Sequence, residues 1–215
     1  MDTELDEKTE FKFDELSDSA KARALDWYRE GQSQDWDGEY TIADCKTCLG
    51  FLGFEVDTNT RANSKGVTYT LPAIYYQISW SQGDGAVFEA SWKAEDVDMA
   101  ALADHAPIDT DLRNWAAQLM VIRLRYPDAT ARVKTRPTGP GLDHMFVDDV
   151  DTQTDRDAPT YDEWMEEQLK EIADHLAHWI YTQLRNELEY QTSDEVCEEG
   201  ITSGEYKFDE DGGVI

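Results

Sequence analysis

Tyr75–Trp92 reads YYQISWSQGDGAVFEASW. Ahead of the glycines, Ile74, Tyr76, Ile78 and Trp80 alternate with Tyr75, Gln77 and Ser79; behind them, Ala86, Phe88, Ala90 and Trp92 alternate with Val87, Glu89 and Ser91. Successive side chains of a strand point to opposite faces, so a period of two predicts two strands, each with one strongly apolar face. The connection Ser81–Gly85 has hairpin length, and its glycines suit a tight turn. Strand follows strand through a short turn, which requires antiparallel pairing. SQGDGA therefore reads first as a hairpin turn. Phosphate-binding glycine loops put a helix after the loop, and here a strand follows.

On the N-terminal side, EFKFDEL (Glu10–Leu16) reads as a short strand or extended lead-in. Ser17 caps a helix running to about Gly31, with Ala20, Ala24, Trp27 and Tyr28 on one face. A second helix is predicted from about Glu39 to Leu52, ended by Gly53, and then a strand from Phe54. TNTRANSKG reads as a polar loop. On the C-terminal side, helices are predicted near Met99–His105 and from the N-cap Asp109 to Tyr126, the latter with a stripe of Leu112, Trp115, Ala116, Leu119 and Ile122. ATARVKTR (Ala129–Arg136) and HMFVDDVDT read as strands flanking the turn PTGPG. The longest helix is predicted over Tyr161–Tyr190, burying Met165, Leu169, Ile172, Leu176, Trp179 and Ile180. A last helical turn (Asp194–Gly200) and a strand in EYKF close the chain. The fold class expected is α+β: one antiparallel sheet with packed helices, a long C-terminal helix among them, as a single domain over 1–215 with 1–9 as a flexible acidic tail.

With 47 Asp and Glu against 19 Lys and Arg, the chain carries a formal net charge of -28. Such a surface repels anions, which argues against direct nucleic-acid binding or an anionic membrane and favours basic protein partners. Adaptation to high salt, or simple solubility, predicts the same composition. The acidic start MDTELDEKTE lacks the basic and apolar regions of a signal peptide, and no apolar run approaches the roughly 20 residues that span a bilayer. A soluble, intracellular protein is expected, and three cysteines suit a reducing compartment.

Each chemical motif has a plain alternative. Cys45-Lys-Thr-Cys48 lies mid-helix, and the second cysteine pair of a structural zinc site is missing, so core cysteines are the better reading. Glu171, His175 and His178 share one flank of the long helix; the spacing could present three metal ligands, but the flank borders the core stripe, where histidines pack. No catalytic residue, metal or cofactor is assigned, and nothing supports an enzyme. Arg123, Arg125, Arg132, Lys134 and Arg136 cluster in an otherwise acidic chain, with Arg132, Lys134 and Arg136 on one strand face. They could hold a phosphate or carboxylate, or pair with the protein's own acids. The opposite cluster comprises Asp143, Asp148, Asp149, Asp151, Asp155, Asp157, Asp162, Glu163, Glu166, Glu167, Glu171 and Asp174. Glu163, Glu167, Glu171 and Asp174 form one helical stripe with neighbours roughly 5–6 Å apart along the axis. Duplex DNA carries about one charge per 1.7 Å, so the stripe approaches that density only together with the acidic strand and its loop. A solvated face is the competing reading.

Three segments, FDELSDSAKARALDWYRE, QISWSQGDGAVFEASW and SDEVCEEGITSGEYKFDEDG, resemble in the same order a family of small, mostly uncharacterised phage and prophage proteins. The resemblance implies a viral setting and supplies no activity, cofactor or catalytic residue. The leading expectation is thus a non-enzymatic phage accessory protein in the host cytoplasm. It would inhibit a basic host protein, a nucleic-acid-binding protein or defence effector of the CRISPR kind, in the manner of a DNA mimic. Asp148, Asp149, Asp151, Asp155, Asp157, Glu163, Glu167, Glu171 and Asp174 would form the docking face, in a monomer or a homodimer. The alternative is sequestration of a small anionic nucleotide by Gln82, Gly83, Asp84, Gly85, Arg132, Lys134 and Arg136 with nearby aromatics. A third reading is an acidic housekeeping phage protein from a saline host.

Overall fold

The computed structural model of the chain describes residues 9–79, 83–135, 147–153 and 163–215. The fold is α+β, with antiparallel sheets and a long helix near the C-terminus. It divides into two compact units, Glu39–Leu184 and a second made of residues 1–38 with 185–215. The expected acidic tail lies almost entirely outside the described residues. No helix among the described residues is long and apolar enough to cross a membrane.

In the unit Glu39–Leu184, helix α2 (Glu39–Phe51) runs directly into strand β1 (Leu52–Val56). As the sequence suggested, Gly53 marks the end of the helix: it stands two residues past Phe51 with a left-handed backbone. It sits in a bulge of β1 at φ +84, where a Cβ would come 2.6 Å from the Lys93 carbonyl oxygen. Only glycine accepts both that dihedral and that approach. The hairpin read from Tyr75–Trp92 is present: β4 (Ile74–Gln77) pairs with β5 (Gly85–Phe88), Ile74 opposite Phe88 and Gln77 opposite Gly85. The connection is longer than expected, because pairing stops at Gln77. The run Ala86–Trp92 also changes sheets at Glu89. Strand β6 (Ala90–Val97) joins a four-stranded sheet of order β1-β6-β7-β8, with β7 at Thr130–Thr135 and β8 at Val147–Gln153.

TNTRANSKG is not a loop. It carries most of a second hairpin, β2 (Thr58–Ala62) on β3 (Thr68–Pro72). Its residues are mostly exposed on both faces, so no apolar alternation marks it in the sequence. Its turn is fixed by the Asn63 side chain, which accepts from the backbone N–H groups of Lys65 and Val67, each at 3.0 Å. The three paired systems meet at one closed ring of backbone bonds. Asp57 N–H donates to Glu89 O (2.9 Å), Glu89 N–H to Ala73 O (2.9 Å) and Ala73 N–H to Asp57 O (2.7 Å). At that ring each strand leaves one sheet for the next with its backbone groups satisfied.

Helices α2 and α4 (Thr110–Arg125) pack on the four-stranded sheet. Phe54, Trp92 and Ala131 stand in register on its buried face. Trp92 is fully enclosed, and its indole donates to Leu52 O at 3.0 Å. Emptying such a site costs roughly 3–5 kcal/mol. The short helix α3 (Met99–His105) and α4 begin where local chemistry dictates: Asp98 accepts from Ala100 and Ala101, and Asp109 from Asp111 and Leu112. Helix α5 (Glu163–Gln191) buries the stripe Met165, Leu169, Ile172, Leu176, Trp179 and Ile180. The Trp179 indole donates to Asp109 Oδ2 at 2.9 Å, and Trp115 stacks on His175 at 5.8 Å.

In the other unit, Ser17 caps helix α1 (Asp18–Asp35) through a bond from Ala20 N–H. The helix absorbs Gly31 and ends four residues later than the sequence suggested. Phe13, Leu16, Ala20, Ala24, Ile201 and Phe208 form its core. Helix α6 (Asp194–Ser203) is tied to α1 by Arg29, which donates to Thr192 O at 2.9 Å and to the carboxylates of Asp26 and Asp194. The expected strand in EYKF is absent: Phe208 makes isolated bridges to Phe11 and Val214 only. Glu10–Leu16 contributes the bridging Phe11 and a single 3-10 turn, Phe13–Glu15.

Candidate functional site

The acidic stripe follows from the period of α5. Residues that alternate with its buried stripe must face outward, and Glu163, Glu167 and Glu171 are exposed while Asp174 is half-buried. Lys170 is the exposed cation among them. At the start of the helix, the Arg125 guanidinium lies over the Trp164 ring, 4.9 Å from its centroid. Asp148, Asp149 and Asp151 fall on β8, the edge strand of the four-stranded sheet, where the register sets Asp149 opposite Lys134 and Asp151 opposite Arg132. Asp155 and Asp157 lie outside the described residues. The docking face read from the sequence is thus described on α5, and in its backbone on β8.

Much of the basic cluster has partners inside the protein. Arg132 donates to both carboxylate oxygens of Asp57, and to Ser91 Oγ at 2.9 Å. This fork joins β7 to the residue that anchors the ring of backbone bonds. Arg123 donates to Val97 O at 2.7 Å, and Arg125 lies over Tyr126 and Trp164. Lys134 is exposed, and Arg136 lies outside the described residues. The glycine loop has the same character. Asp84 accepts from Ser79 N–H at 2.9 Å and from Ser79 Oγ at 2.6 Å, which closes the connection across the hairpin. Gly83 is buried and Gly85 half-buried, while Gln82 lies outside the described residues.

Cys45, Cys48 and Cys197 are free and buried. Burial, then the neighbouring Asp44 and Asp109 carboxylates, push the Cys48 thiol up to about 12. Burial likewise raises Cys45, with Cys48 and Asp44 adding to the effect. Such thiols stay protonated near neutrality and make poor nucleophiles. Above Cys48, His105 Nε2 stands 2.7 Å from Asp44 Oδ1, and one donor atom from each of Asp44, Cys48 and His105 lies within 4.8 Å of the others. No local pattern points to this group, because His105 is 61 positions from Asp44. Glu171, His175 and His178 do not form such a group among the described residues. His175 is stacked on Trp115, and His178 lies against Tyr181.

No curated protein and no solved structure matches the chain. The family described as Domain of unknown function (DUF8835) matches residues 36–194. That range contains the whole unit Glu39–Leu184, and with it the hairpins, the four-stranded sheet, the exposed α5 stripe and the Asp44–Cys48–His105 group. It leaves out α1 and most of α6. By a match over most of its length, the chain belongs to the DUF8835 family.

Proposed function

We propose that this protein is a non-enzymatic docking protein whose acidic α5 face binds a basic partner. The observation that carries the reading is the exposed row Glu163, Glu167 and Glu171 on the outer side of a helix whose inner side is fully committed to the core. A rigid helix holds the three carboxylates at fixed spacing, so the surface is preorganised for a basic counterpart and loses little entropy on binding. The net charge of -28 adds long-range steering towards a cationic surface. The three-segment resemblance to phage and prophage proteins supplies the setting: the host cytoplasm, with a nucleic-acid-binding protein or defence effector as the partner to be inhibited. Capture of an anionic nucleotide is disfavoured, because a ligand at Arg132 would first have to displace Asp57.

The test is the variant Glu163→Gln/Glu167→Gln/Glu171→Gln. All three side chains are exposed, so melting should be unchanged while affinity for the captured partner falls. Full affinity in a folded triple variant would refute docking through this face.

A further inference from the structure

We propose that Asp44, Cys48 and His105 form a binding site for one zinc-class divalent ion, which would clip α2 to α3. Asp44 and Cys48 are four residues apart on α2 and so share a face. His105 ends α3, which packs on α2, and its ring meets the edge of Phe51 at 5.6 Å. One sulfur, one nitrogen and one oxygen donor therefore converge within 4.8 Å.

Ordinary zinc bonds of about 2.0–2.3 Å set tetrahedral ligands roughly 3.3–3.8 Å apart. The 2.7 Å contact between His105 and Asp44, a nitrogen and an oxygen with the shorter zinc bonds, must then open by roughly 0.6–0.8 Å. Both side chains can move that far, since 35% of His105 and 62% of Asp44 is exposed. Cys48 is enclosed and supplies the fixed ligand. A mixed thiolate, imidazole and carboxylate set favours zinc and its neighbours over calcium or magnesium, which take oxygen ligands. Three protein ligands leave a fourth position for water. On binding, the Cys48 S–H bond breaks, sulfur keeps the electron pair and donates it to the metal, and the proton leaves to solvent.

The test uses the full chain, freed of metal by chelation, with Co2+ as the optical probe and Zn2+ as its competitor. The expected result is saturation at one equivalent, a sulfur-to-cobalt charge-transfer band with tetrahedral ligand-field absorption, and displacement by Zn2+. Cys48→Ala should abolish the charge-transfer band. Because that variant alters the core, His105→Gln and Asp44→Asn at exposed positions provide the second arm. Each should weaken binding by at least about tenfold, the lower end of what loss of even an outer-shell partner costs, with melting of the metal-free protein preserved. Saturation without a sulfur band would assign the ion to surface carboxylates and overturn the proposal. So would His105→Gln binding cobalt as tightly as the unaltered chain.

Discussion

Replacing Arg132 with Met tests whether the basic strand is part of the fold or a waiting anion site. Met keeps most of the aliphatic stem and deletes the fork. The variant loses the paired bonds to Asp57 and the bond to Ser91, and leaves the Asp57 carboxylate beside the backbone ring with no cation. Hydrogen bonds to charged groups are worth roughly 1.5–3 kcal/mol when well buried, whereas exposed ion pairs give about 0.2–1 kcal/mol. The side chains of Arg132 and Asp57 are 39% and 27% exposed, between those limits. A cost of about 1–2 kcal/mol follows. For a chain of this size that lowers the melting temperature by roughly 2–8 °C. Calorimetry on Arg132→Met, Asp57→Asn and the double variant closes a thermodynamic cycle. The two changes should be strongly non-additive, because removing either partner already breaks the fork. Additive effects, or Arg132→Met melting with the unaltered chain, would refute the internal pairing and return Arg132 to the ligand-capture reading.

Two further outcomes follow from the backbone and the thiols. Glu205 holds φ at +53, just past the end of α6, where side chains with a Cβ are strained. Glu205→Gly should relieve roughly 1–2 kcal/mol of strain and lose roughly 0.5–1 kcal/mol to unfolded-chain entropy, so the variant should melt slightly higher; a lower melting point would show that the glutamate side chain contributes more than its conformation costs. The Cys48 thiol has a pKa raised by burial from 9.0 to about 12, so the folded state holds its proton more tightly than the unfolded state does. Its contribution to stability is intact below about pH 9 and is lost as pH rises towards 12. Urea midpoints should fall over that window and fall less in Cys48→Ala; equal slopes would contradict the burial argument.

What could be read from the sequence was local or periodic. Asp109 announces α4 because an N-cap acts within three residues, and α5 declares itself by a buried stripe, Met165 to Ile180, repeated over about four turns of helix. The pairing of Ile74–Gln77 with Gly85–Phe88 was legible for the same reason. The change of sheet at Glu89 was not. Ala86, Phe88, Ala90 and Trp92 are all buried, so the alternation passes through the break unaltered. The hairpin β2–β3 was hidden because neither of its faces is buried. Of the candidate sites, the α5 stripe was visible as a spacing. The partners that occupy Arg132, and the convergence of His105 on Asp44 and Cys48, depend on residues 75 and 61 positions apart. Such pairs are set by the topology of the sheet and helices, and no local pattern encodes them.

The most direct test of the docking account is a tagged pull-down from host lysate at low and high salt. The unaltered chain and Glu163→Gln/Glu167→Gln/Glu171→Gln are run side by side, and the eluates are identified by mass spectrometry. The account predicts one basic, nucleic-acid-handling protein that elutes with the unaltered chain at low salt, is lost at high salt, and is missing from the triple-variant eluate. Recovery of the same protein with the triple variant, or of no basic protein with either chain, would contradict it.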